Sequence, residues 1–380
     1  MIPQNVDTRT PGIFRSEIAL WIGIVTALVF LVVGKTWLMD LSNPLKYGVF
    51  FVWLFFVMMC LSFGVVRHSD CLAIILGEPY GTLILTLAVI SIEVIMISAV
   101  MLTGENNPTL ARDTMFSVLM IVLNGMLGLT LLIGGLRHHE QEYNLSGAKA
   151  YLGVLFPLAV LGLVVPRFTT SAPGGQVSTL MAIYLVIMSA GLYSVFLLIQ
   201  TMRHSQYFKQ PFDSNAEENE TDDYDHGNLI IRSVGYHALF LVLTMLPIVM
   251  LSKSMAILMN HGIVYLQAPQ ALGGFLVAIL VLAPEGLSAT KAAIANKLQR
   301  TVNIALGSAL ATIGLTIPAV LAISLFTGCA IELGLDAVGI VLLILTLLVS
   351  VVNFGIGRTN VLQGVVHLIL FFSYIVIIFD

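Results

Sequence analysis

The chain has 380 residues, of which 58% are hydrophobic and only 10% charged, with a formal net charge of -4. Soluble domains carry about 25% charged residues, so this balance, with a mean hydropathy of +0.97, excludes a soluble domain and indicates an all-α integral membrane protein in contact with the lipid bilayer. No block of Lys or Arg points to nucleic acid, and Cys60, Cys71 and Cys329 lie too far apart for metal-ligand spacing or a disulfide framework.

Residues 1–16 are polar, include Pro3 and Pro11, and read as a cytoplasmic tail without a removable signal peptide. A spanning helix needs about 20 mostly apolar residues. Eleven such runs follow, at 17–37, 46–66, 80–103, 113–136, 148–166, 177–201, 229–251, 271–290, 301–326, 336–354 and 361–379. The first, with its loop to residue 45, is an extra helix ahead of two groups of five, 46–201 and 229–380.

Between those groups lies a polar linker, 202–228, in which Asp213, Glu217, Glu218, Glu220, Asp222, Asp223 and Asp225 are crowded together. Like charges at that density repel and keep a segment extended. A plain solvated linker and a cation-concentrating regulatory segment both fit. Orientation follows from the loops that hold Lys and Arg. With the N-terminus inside, the outer segments hold only Lys35, Lys46, Arg112, Arg167 and Lys253, five of the 17 basic residues. The expected placement is therefore the cytoplasmic membrane, with the N-terminus inside and the C-terminus outside.

Glu93 and Glu285 each fall within an apolar run, one in each half. An ionisable side chain at that depth costs several kcal/mol unless partnered, about 3 on insertion scales, and marks an ion pathway or proton relay. The halves echo one another: Gly81 and Gly273 precede these glutamates at equal spacing, and Arg112 and Arg300 follow them. Five crossings per half make the second repeat enter from the opposite side. The result is two inverted five-helix repeats with a site at the midplane.

Pro284 lacks an N–H and kinks or opens a helix, which can free carbonyl oxygens beside Glu285. Ser288 lies one turn further on. Ser91 is the polar neighbour of Glu93, although a regular helix points the two nearly oppositely. In the fourth run Asp113, Ser117, Asn124 and Gly128 share a face, and in the ninth Ser308 and Thr312 are one turn apart. Helix packing explains Ser117 and Thr316, whereas Asn124 and Ser308 fit packing and ligand roles equally. Satisfied core positions are the plainer reading of His237 and His367.

Two carboxylates with hydroxyl, amide and carbonyl oxygens form an all-oxygen set suited to hard cations such as Ca2+. Carboxylates taken out of water beside one another hold protons when no cation is present. Cation and protons then compete for one site, and competition coupled to a change of facing is antiport. A cation channel would gather its selectivity residues on a multi-subunit axis. An enzyme is disfavoured by the absence of HExxH, GxSxG and phosphate-loop motifs.

The segments GEPYGTLILTLAVISIE, RDTMFSVLMIVLNGMLGLTLLIGGLRHHEQEYN, LAPEGLSATKAAIANKLQR, GSALATIGLTIP and GRTNVLQG resemble the cation/proton exchanger branch of the calcium:cation antiporter superfamily. Within it, the likeness is to bacterial sodium-potassium/proton and calcium/proton antiporters. The resemblance implies ten core helices in two inverted repeats plus an extra first helix. It also implies that Glu93 and Glu285 bind cation and protons, with contributions from Ser91, Ser308 and the backbone oxygens of Ala283 and Pro284.

There are departures from that pattern. Val89-Ile90 and Val281-Leu282 stand where many calcium/proton exchangers have Gly-Asn, Val122 stands at the expected asparagine, and Ala311 replaces a glutamine. Fewer polar ligands point away from strict calcium selectivity. The expected function is exchange of cytoplasmic Ca2+, with Na+ and K+ as further substrates, for external protons. A sodium/calcium exchanger is the alternative. No cofactor is expected, and a homo-oligomer remains open.

Overall fold

The computed structural model describes residues 12–77, 80–101, 108–211, 230–328 and 330–380. Glu217, Glu218, Glu220, Asp222, Asp223 and Asp225 of the acidic linker lie outside the described residues, as does Cys329. Among the described residues, nine helices are long and apolar enough to cross a membrane. They are α1 (Ile18–Met39), α2 (Pro44–Leu76), α4 (Leu110–His138), α5 (Leu145–Phe168), α6 (Thr179–Arg203), α7 (Val234–Tyr265), α8 (Ala271–Ile294), α9 (Leu298–Thr327) and α11 (Val361–Phe379). Two others complete the series, α3 (Tyr80–Met101) and α10 (Ala337–Asn353). Each lies over one of the eleven apolar runs.

Their ends follow from local chemistry. Asn43 accepts from the Leu45 and Lys46 amides ahead of α2, with Pro44 at its first turn. Ser233 caps α7, Asp336 caps α10, and Asn360 forms a reciprocal capping box with Gln363 at α11. Such caps satisfy amides that the helix leaves without partners. Gly328 stops α9 in the left-handed conformation, at φ 73°, which glycine adopts without steric penalty.

Two helices run well past the apolar runs that forecast them. α2 continues to Leu76 through Arg67, His68 and Asp70, and α7 continues to Tyr265 through Lys253 and His261. Arg67 and Lys253 are therefore helical rather than loop residues. In α2 the extension persists because the polar groups find partners inside the bundle: His68 is fully buried against His237 and Glu17.

The interior is organised around α4. A Cβ added at Gly274 of α8 would come within 2.6 Å of the Asp113 and Thr114 backbone. One added at Gly364 of α11 would come within 2.5 Å of the Leu132 amide. These contacts leave no room for a side chain, as expected where small residues let helices approach closely in lipid. α4 and α9 each widen into a π segment, Ile121–Met126 and Thr312–Thr316. The π segment of α4 packs against α8, and that of α9 packs against α3, so one widened helix from each half meets the other half's glutamate helix.

Candidate functional site

Glu93 projects from α3 into the interior and is 1% exposed. Its Oε2 accepts a hydrogen bond from the Thr312 hydroxyl at 3.0 Å, while its Oε1 has no partner among the described residues. Thr312 opens the π segment of α9. Thr316, at the other end of that segment, is close enough to act on the Glu93 carboxyl, yet its own buried hydroxyl is unpartnered.

Glu285 follows Pro284 in α8, and the Ser308 hydroxyl of α9 is close enough to act on its carboxyl. Its Oε2 is also buried without a partner. Ser308 and Thr312 stand one turn apart on α9, so a single helix face holds Glu285 with one hydroxyl and Glu93 with the next. The Glu285 charge also acts on Glu93. Each acid keeps a buried oxygen without a donor among the described residues. Groups left in that state cost about 1–3 kcal/mol each, more when charged.

The other expected ligands fall into different places. Pro284 does not break α8, which runs unbroken from Ala271 to Ile294. The helix is thus continuous rather than opened, and the missing proline amide leaves the Leu280 carbonyl without its usual donor. Ala283 and Ser288 lie on that helix, both half-buried. Ser91 turns its hydroxyl back onto the Leu87 carbonyl at 2.6 Å.

Asn124 spends its amide on neighbouring helices. Nδ2 donates to Thr346 Oγ1 of α10 at 2.9 Å, and Oδ1 lies 3.1 Å from His367 Nδ1 of α11. The rest of that α4 face also meets α11, Ser117 through Tyr374 at 2.6 Å and Gly128 against Leu368 and Gly364. Asp113 is held by Arg112 Nε at 2.8 Å and Thr109 at 2.9 Å. The polar stripe that helical spacing picks out in the fourth run is thus mostly an interhelical seam.

Sequence reasoning missed Asp70. It lies on α2, acts electrostatically on Glu285, and is itself influenced by Arg300 of α9. The available signal is a carboxylate in VVRHSDCLAIIL, just past the end of the 46–66 apolar run. Among the described residues no three His, Cys, Asp or Glu side chains converge to hold a metal. The oxygen set therefore consists of two carboxylates supplemented by hydroxyls, which fits a hard cation in transit better than a resident transition metal.

A bundle of apolar, membrane-length helices holding two buried, under-satisfied acids fits the class of membrane ion exchangers. The chain belongs to the sodium/calcium exchanger protein family, which matches residues 46–202 and 236–379. It is 43% identical over 318 residues to the sodium-potassium/proton antiporter ChaA of Escherichia coli (strain K12), covering 84% of this chain and 85% of that one. Identity to the Ca(2+)/H(+) antiporter ChaA of Bacillus subtilis (strain 168) is 23% over 301 residues, covering 78% and 82%.

Among solved structures, native YfkE aligns with a TM-score of 0.72 at 19% identity, over 95% of this chain and 99% of that one. The H+/Ca2+ exchanger CAX aligns at 0.67 with 12% identity, over 95% and 88%. At such identities these two are likenesses of fold. The family resemblance read from the glutamate-bearing segments is borne out by the family match.

Proposed function

We propose that the protein is a secondary antiporter that exchanges cytoplasmic cations for external protons, with Ca2+, Na+ and K+ as the cation class. One observation carries this reading: Glu93 and Glu285 are gathered by adjacent hydroxyls of α9, and each keeps an oxygen without a donor. A divalent cation neutralises the pair as two protons do. Either load makes the site fit to be carried through a low-dielectric interior, whereas the empty dianion is costly.

Glu93, Glu285, Ser308 and Thr312 form the inner ligand set in this reading. Ser91, Asn124, Ala283, Pro284 and Ser288 surround it, and Asp70 is a further carboxylate on the Glu285 side. The crossed packing of the two π segments on opposite glutamate helices supports two related five-helix halves. The distribution of basic residues supports an N-terminus in the cytoplasm and the acidic linker on that side. The names of the two antiporter relatives favour proton coupling, and the paired acids supply its physical basis.

Proteoliposomes with a trapped pH indicator test this in sodium-free buffer. Calcium, then potassium, added to one side should drive proton movement in the opposite direction, and Glu93→Gln and Glu285→Gln should each abolish it while the protein remains monodisperse. Calcium movement that requires sodium and leaves pH unchanged would establish the sodium/calcium alternative. Flux that survives both substitutions would remove the two acids from the mechanism.

A further inference from the structure

Away from the paired acids, a second polar cluster joins three helices. Glu17, immediately before α1, is 3% exposed, and His68 of α2 and His237 of α7 are 0% and 2% exposed. His68 Nδ1 lies 3.0 Å from His237 Nδ1, His68 Nε2 lies 3.1 Å from Glu17 Oε2, and the Arg232 amide donates to His237 Nε2 at 2.9 Å. Tyr236 donates its hydroxyl to Glu17 Oε1 at 2.6 Å. Arg67 pairs with Glu17 Oε2 and also donates to the Ser16 carbonyl at 2.5 Å.

These contacts permit one arrangement of protons. Because His237 Nε2 accepts from an amide, a neutral His237 carries its proton on Nδ1 and donates it to His68 Nδ1. His68 must then carry its proton on Nε2 and donate it to Glu17. Every donor points the same way, from the Arg232 amide to the carboxylate. Arg67 Nη2, 3.1 Å from His68 Nε2, aims at the same carboxylate oxygen.

An added proton has no place in this chain. On His68 it sets two N–H groups face to face at a 3.0 Å contact. Passed on to His237, it sets Nε2–H against the Arg232 amide. The surrounding charges relieve this only in part. Glu17 favours a further positive charge, but Arg67 and Arg232 oppose it and Arg67 offsets the carboxylate. Cys71, on the same helix as His68, also faces Glu17 and Arg67 and senses Asp70 beyond them.

Burial acts to raise the Glu17 carboxyl, but Tyr236, Arg67 and His68 outweigh it and hold the group below its ordinary 4.5. Glu17 therefore stays ionised in mildly acidic solution, which leaves the histidines as the members that can accept a proton. A cavity of ≈ 50 Å3 lined in part by Glu17, Arg67, Tyr236 and His237 reaches the cluster. That is room for about one water, whose share of liquid volume is roughly 30 Å3, and it gives protons an approach.

We propose that Glu17, His68 and His237 form a pH-operated latch that clamps α1 onto α2 and α7 while both histidines are neutral, and releases when either takes up a proton. α2 and α7 pack along one another and both contact α3 and α8, which carry the two site glutamates. The clamp is supplied from outside the matched family range, which begins at residue 46. Because protonation favours the released form, the latch is closed at neutral and alkaline pH and opens as pH falls.

Trp21, one turn beyond Glu17, is the natural reporter: its amide bonds to the Glu17 carbonyl at 3.2 Å, and the chain's other tryptophans are Trp37 and Trp53. In a W37F/W53F protein in lipid nanodiscs, Trp21 emission should shift sigmoidally as the pH falls from about 7 to about 4, because a free imidazole takes up its proton near pH 6.5 and the closed cluster resists it. His68→Gln and His237→Gln, singly and together, should abolish the shift, and Glu17→Ala should give the acid-form emission already at the alkaline end.

Hydrogen exchange of the unsubstituted protein provides a second measurement. The Arg232 amide should lose protection over the same pH range once intrinsic rates are corrected. A flat wild-type titration, a shift that survives the double histidine substitution, or unchanged Arg232 protection would each overturn the latch. None of these readouts depends on which ion, if any, the protein moves.

Discussion

The paired-glutamate site and the Glu17–His68–His237 cluster are both buried, titratable and shared among helices distant in sequence, yet their hydrogen-bond accounts are opposite. In the cluster, each carboxylate oxygen and all four ring nitrogens of His68 and His237 have partners. At the site, Glu93 Oε1, Glu285 Oε2 and the Thr316 hydroxyl have none among the described residues. A saturated network fixes helices in place, whereas an unsaturated one at the same depth has free coordination for a passing cation or proton. Buried charge alone therefore does not distinguish a closed network from one with free coordination; unmet hydrogen-bonding groups beside the charge do.

That contrast can be broken in order of effect. Glu93→Gln and Glu285→Gln should reduce coupled exchange by at least about a hundredfold while leaving thermal stability within about 1 kcal/mol, because a neutral amide suits the empty interior but cannot alternate between proton and cation. A protein that unfolds instead would make these acids structural. Next, His68→Ala should leave Glu17 and His237 each short of a partner and cost about 2 kcal/mol. It should be read as a fall in the thermal denaturation midpoint with little change in cation KM.

A smaller effect is expected from Thr312→Val, which takes the single donor from Glu93 Oε2. Loss of a bond to a charged group is worth about 1.5–3 kcal/mol, so the cation KM should rise by about tenfold or more, with Ser308→Ala acting similarly through Glu285. The smallest change belongs to Asp70→Asn, since Asp70 acts on Glu285 through charge rather than contact. Transport should persist with a cation KM raised a few fold and a weaker dependence on ionic strength. If Asp70→Asn matched Glu285→Gln, the site would have to be redrawn with three carboxylates.

The apolar runs made the helices legible because lipid demands long, internally hydrogen-bonded segments whatever their neighbours. They misplaced the ends of α2 and α7 for the same reason: Arg67, His68 and Asp70 look like loop residues until partners from α1, α7 and α9 are present. Glu93 and Glu285 stood out as charges in apolar sequence. Asn124, chosen by helical spacing, meets α10 and α11, since spacing identifies a shared face without saying what that face meets.

By itself the sequence determined that the chain is a membrane protein of many apolar helices and that two acids lie in apolar runs, since both follow from transfer of side chains and backbone into hydrocarbon. Tertiary structure alone decided that Ser308 and Thr312 gather those acids on one face of α9, that Asp70 stands near Glu285, and that Glu17, His68 and His237 form a one-way chain of donors. Residues hundreds of positions apart acquire such relations only when helices pack, because hydrogen-bond direction and charge proximity are set by distances of a few ångströms that no linear pattern encodes.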